Sequence, residues 1–222
     1  MDKEPLLERA MRLPHWARIA LAIWAARLVE PNFRHWMSGR IYATYVRAID
    51  EALLFAERCT VTGGSTAKAS LRVPVRMALT ADVAADAARA TWEDDLDPDA
   101  RPAGFASSAY AASEAALATS HLLRTLAIGW QEHRCEDLLR SLESSLASVR
   151  HHASTAWTGS YEAFKAAEMK GETTFLGQLS DEITRLERSV DLQNWTDASG
   201  IPWELFCAAD PLAKGGRRTR YP

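Results

Sequence analysis

A chain of 222 residues with 47% hydrophobic and 25% charged side chains is globular rather than disordered in composition, and long enough to bury one substantial core. Its formal net charge of -3 and pI near 6.1 exclude the summed positive field that general nucleic-acid binding relies on, and favour a basic partner over an acidic one. The opening Met1-Asp2-Lys3-Glu4-Pro5 has no charged-then-apolar leader pattern, and no apolar run of about 20 residues occurs, so the expectation is a cytoplasmic protein without a membrane partner.

Alanine is the commonest residue and loses no side-chain entropy in a helix, which tilts the fold towards the all-α class. After a short helix over Glu4 to Arg12, residues Pro14 to Glu30 place Trp16, Ala20, Ile23, Trp24 and Leu28 on one stripe, with Pro31 expected to end the helix. From Arg40 to Arg58, the positions Ile41, Tyr45, Ile49, Leu53 and Ala56 repeat the helical period. The loop Thr62-Gly63-Gly64-Ser65 follows. Thr66 then caps a segment whose apolar face is Leu71, Val75, Leu79 and Val83, and which Pro74 is expected to kink or divide.

Trp92-Glu93-Asp94-Asp95-Leu96-Asp97-Pro98-Asp99, with Pro102 beyond it, interrupts the helical pattern and is expected as an exposed acidic loop. In Phe105 to Trp130 the small residues Ala109, Ala112, Ala116 and Thr119 precede Leu122, Leu123 and Leu126. A small-residue stripe lets a neighbouring helix approach closely, so this helix is expected at the centre. Glu132 to Trp157 aligns Leu138, Leu142, Leu146 and Val149. Gly159 and Gly171 are expected to bracket a short helix, and Leu176, Leu179, Ile183, Leu186 and Val190 form a seam in the last long one. That seam packs either inside the monomer or against a second copy. Residues 1–194 thus read as one helical bundle of about seven helices. Residues 195–222 read as an irregular docking segment, with Trp203, Leu205 and Phe206, and a basic tail.

Nothing in the chain matches a catalytic or metal-binding signature. Cys59, Cys135 and Cys207 are far apart and form no CxxC pair, which suits free thiols in a reducing compartment. Glu132-His133-Arg134-Cys135 lacks the second histidine of HExxH, and the adjacent His151 and His152 diverge by about 100 degrees on a helix. His121 reads as a half-buried hydrogen-bonded residue, with a base or ligand as the alternative. Gly63-Gly64-Ser65-Thr66-Ala67-Lys68 lacks the Gly-Lys-Ser/Thr order of a phosphate loop. No catalytic residue, metal or cofactor is expected.

Two features point instead to binding. Eight tryptophans, namely Trp16, Trp24, Trp36, Trp92, Trp130, Trp157, Trp195 and Trp203, serve either as wedges between helices or as exposed anchors for a protein partner. The carboxylates of the acidic loop are either simply solvated or a decoy surface for basic residues of a partner. On the second reading the partner-binding residues are Trp92, Glu93, Asp94, Asp95 and Asp97.

Four stretches resemble a family of bacterial immunity proteins encoded beside polymorphic toxins. They are the early helix Arg18 to Ala26 followed by Glu30-Pro31-Asn32-Phe33, the segment Ala48-Ile49-Asp50-Glu51-Ala52-Leu53, and the alanine-rich runs Ala84 to Arg89 and Ala109 to Ala116 with His121 beyond. The resemblance covers roughly residues 15–130. It implies a non-catalytic protein that neutralises a cognate toxin by occluding its active site. The alternative is a homodimeric interaction or regulatory scaffold paired through the Leu176 to Val190 seam, and a third class is an enzyme built around His121.

Overall fold

The computed structural model describes residues 2–61, 72–93, 105–128, 135–155 and 160–193. Among them the chain forms seven α-helices and one 3₁₀ turn, with no strand. The order is α1 (Lys3–Arg12), α2 (His15–Trp36), the 3₁₀ turn (Arg40–Tyr42), α3 (Ala43–Val61), α4 (Arg72–Glu93), α5 (Phe105–Ile128), α6 (Cys135–Ala153) and α7 (Tyr161–Gln193). The expected all-α bundle is what forms. The docking segment and basic tail, residues 195–222, lie outside the described residues.

Two helices make the centre. α5 packs against α2, α3, α4 and α6, as its small-residue stripe anticipates, and Ala109, Ala112, Ala116 and Thr119 are all buried. α2 touches α1, α3, α5, α6 and α7 and is buried on every side from Ile19 to Ala26, so it is a core helix rather than an amphipathic one. It also runs past Pro31 to Trp36. Pro31 is exposed, where the missing N–H falls on the water side, while Phe33 and Met37 are fully buried and tie the last turn into the core.

The approach of α6 to α5 is close enough for side-chain hydroxyls to reach backbone. Ser141 Oγ donates to the Ala118 carbonyl at 2.7 Å and Ser148 Oγ to the Ala111 carbonyl at 2.6 Å, in antiparallel register. Leu138, Leu142 and Leu146 bury as their spacing predicts, and Ser141, Ser145 and Ser148 form a second buried face beside them. α2 and α3 are likewise antiparallel, since Arg27 meets Glu57 at 2.8 Å and Arg34 meets Asp50 at 2.7 Å.

Other sequence expectations are corrected as well. Gly171 does not end a short helix but lies inside the single 33-residue α7. A Cβ placed on it would come within 2.8 Å of Ala153 Cβ and 3.2 Å of the Val149 carbonyl, so glycine is there because α7 crosses α6 at that point. Of the segment that Pro74 is expected to kink or divide, residues 66–71 lie outside the described residues; Pro74 itself lies in the first turn of α4, where proline costs little.

A further difference concerns which face of α4 is buried. Val75, Leu79 and Val83, expected to face inward, are 45%, 57% and 52% exposed. The buried face of α4 is instead Ala78, Ala81, Ala84, Ala85 and Ala88. An alanine face brings α4 close to the small residues of α5, and the bulkier side chains are left outside. Ile41, expected on the α3 stripe, is 78% exposed in the preceding 3₁₀ turn, while Ile49, Leu53 and Ala56 bury as anticipated.

Leu176, Leu179, Ile183 and Leu186 of the α7 seam are buried within the monomer. The internal alternative therefore holds for those four residues.

Candidate binding surface and polar clusters

The expected partner-binding residues straddle the end of α4. Trp92 and Glu93 close that helix, with their side chains outside the described set, and Asp94, Asp95 and Asp97 follow outside the described residues. What is described is the mount. α4 is fixed by its alanine face against α5, and near its end Trp36 Nε1 donates to Thr91 Oγ1 at 2.8 Å, so α2 anchors the last turn of α4. Trp24 is buried and tilted against Phe175 with ring centroids 6.0 Å apart. For Trp24 and Trp36, the wedge role of tryptophan is the one adopted. Trp130, Trp157, Trp195 and Trp203 lie outside the described residues.

His121, on α5, is half-buried. Its Nδ1 has no hydrogen-bond partner and sits 3.6 Å from Asp137 Oδ1, beyond hydrogen-bonding reach. Burial, opposed by the Asp137 carboxylate, pushes the imidazole below its ordinary pKa and so favours the neutral ring. The neighbouring Asp82 is committed elsewhere: it accepts from Ser120 Oγ at 2.6 Å and pairs with Arg124. The expectation of a hydrogen-bonded histidine is thus not met at Nδ1.

Between α2 and α3 the carboxylate of Glu30 is almost wholly buried. Burial raises its pKa, and Arg34, whose Nε donates at 2.8 Å, opposes the shift. Arg34 also grips Asp50 through two contacts at 2.7 and 2.8 Å. On α6, His151 is half-buried beneath Tyr110, with centroids 5.6 Å apart, and its pKa is lowered by burial. The more exposed His152 is shifted the same way, by partial burial and then by the nearby His35. Cys59 is a buried thiol.

An open groove between α1 and α6 is lined by Glu4, Leu7, Glu8, Met11, Arg12 and Leu139. Among the described residues, no group of three or more His, Cys, Asp or Glu is placed to hold a metal ion. No described helix is long and apolar enough to cross a membrane. Compared with known families, curated proteins and solved structures, the chain matches none of them.

Sequence reasoning missed two features that bear on function. One is the outward apolar stripe of α4, hidden because large residues at helical spacing ordinarily mark the core face. The other is the buried serine face of α6, whose signal was the 141, 145, 148 spacing.

Proposed function

We propose that the chain is a non-catalytic, cytoplasmic binding protein of the immunity type, which neutralises a cognate toxin by occluding its active site. The observation that carries this reading is how the ionisable side chains are used. Arg27 with Glu57, Arg34 with Glu30 and Asp50, Arg124 with Asp82, and Arg9 with Glu187 are pairs that bind one helix to the next or brace one helix. Such pairs fix a rigid scaffold, and a rigid scaffold loses little entropy when a partner docks.

On that scaffold the acidic stretch Glu93, Asp94, Asp95 and Asp97, with Trp92 beside it, is the surface for a basic partner. Its dense negative charge speeds encounter and its aromatic supplies an anchor. Pro98 and Pro102 restrict the backbone around it and so lower the ordering cost.

The test is a titration of toxin activity, using the product of the neighbouring reading frame as the toxin. Complete neutralisation at one chain per toxin, retained by a folded His121→Ala variant, is the expected result. Neutralisation well below one-to-one, or its loss in His121→Ala, would show turnover and overturn the reading.

A further inference from the structure

α4 is held to the bundle by alanines, which leaves its other face to carry Val73, Val75, Leu79 and Val83, all exposed. Single exposed apolar residues are ordinary, but Val75, Leu79 and Val83 are spaced four apart and form one continuous stripe about 12 Å long. The stripe ends in charges of opposite sign. Arg72 lies three residues before Val75 and Asp86 three residues after Val83, and both are exposed on the same side of the helix.

The sequence Arg72, Val75, Leu79, Val83, Asp86 therefore steps 3, 4, 4, 3, symmetric in spacing and in apolar character about Leu79 and antisymmetric in charge. A pattern of that kind is complementary to itself when turned around. Laid antiparallel on a second α4, Leu79 meets Leu79, Val75 meets Val83, and Arg72 of each copy meets Asp86 of the other. Laid parallel, it would set Arg72 against Arg72 and Asp86 against Asp86, a like-charge arrangement that is unfavourable at close range. We propose that the exposed face of α4 is a two-fold interface between two copies of this chain, with the symmetry axis passing at Leu79.

The interface is isologous, so one patch serves both copies. A contact made by one helix pair is small, and the expected association is in the micromolar range. The surface is distinct from the acidic stretch beyond Glu93, so the two assignments stand or fall separately.

Sedimentation velocity of the full-length chain across a range of micromolar concentrations tests it. A reversible monomer–dimer equilibrium is expected. Leu79→Asp should weaken it by at least about a hundred-fold while leaving helicity unchanged, because Leu79 is exposed in the monomer. Arg72→Asp and Asp86→Arg should each weaken it about ten-fold, and the double swap should recover most of the loss. Leu79→Cys should form a disulfide-linked dimer on mild oxidation, since the two side chains meet on the axis. A chain that stays monomeric, a dimer that persists in Leu79→Asp, or a double swap as weak as the single variants would each overturn the proposal.

Discussion

Replacing Gly171 by alanine sets two effects of known sign against each other. Alanine in a helix interior is favoured over glycine by about 1 kcal/mol, because the unfolded chain loses freedom and the helix does not. The added Cβ, however, would lie 2.8 Å from Ala153 Cβ and 3.2 Å from the Val149 carbonyl, and neither atom is the end of a flexible side chain. α6 and α7 must move apart, and overpacking of this kind costs about 1–3 kcal/mol. The net expectation is a destabilisation of about 0–2 kcal/mol. A Cβ added at Gly177, in the same helix, would meet nothing within 4 Å, so Gly177→Ala should stabilise by nearly the full propensity gain. Urea unfolding of both variants, at unchanged m, reads the contrast. If Gly171→Ala stabilised as much as Gly177→Ala, the close crossing of α6 and α7 would be refuted.

The remaining predictions use the same readout. Ser148→Ala removes an acceptor of Asn32 Nδ2 at 3.0 Å and a donor to the Ala111 carbonyl, and should cost about 1–2 kcal/mol, more than Ser141→Ala, which strands no donor. Arg27→Ala removes a charge partner of the buried Glu57 carboxylate and should cost up to about 3 kcal/mol, whereas Arg27→Met combined with Glu57→Leu should cost much less. The lowered pKa values of His121, His151 and His152 mean that the unfolded chain binds more protons than the native one just below pH 6.5. Their contribution to stability is thus present above 6.5 and is lost as pH falls below it, so melting curves should show His151→Gln flattening the decline. Glu30 and Glu182 act oppositely. Burial raises both pKa values, so each contributes more to stability as pH falls towards 4.5.

The central place of α5 was legible in its small-residue stripe, and helix number and the inward Leu176 to Leu186 seam because large apolar residues at steps of three and four mark a buried face when the neighbour stands at ordinary distance. α4 breaks that rule. Its closest neighbour packs on alanine, and Ala78, Ala81 and Ala85 carry little weight in any hydrophobic pattern beside Leu79 and Val83. Gly171 misleads for a related reason, because a glycine required by a helix crossing looks, in one dimension, like a helix end. The run past Pro31 depends on Phe33 and Met37 finding the core, which is a tertiary effect. Of the candidate site, the charge and its proline flanks were legible in Glu93 to Pro102. The anchoring of Thr91 by Trp36, 55 residues away in sequence, was not.

A binding role for this chain turns on whether the acidic stretch beyond α4 is the surface that meets a basic partner. Calorimetric titration of the full-length chain with the product of the neighbouring reading frame, for wild type and for a variant with Glu93, Asp94, Asp95 and Asp97 reversed to lysine, tests this directly. The predicted result is one-to-one binding that weakens steeply with added salt and is lost in the reversed variant. Equal affinity and equal salt dependence in the two proteins, or no binding by either, would contradict it.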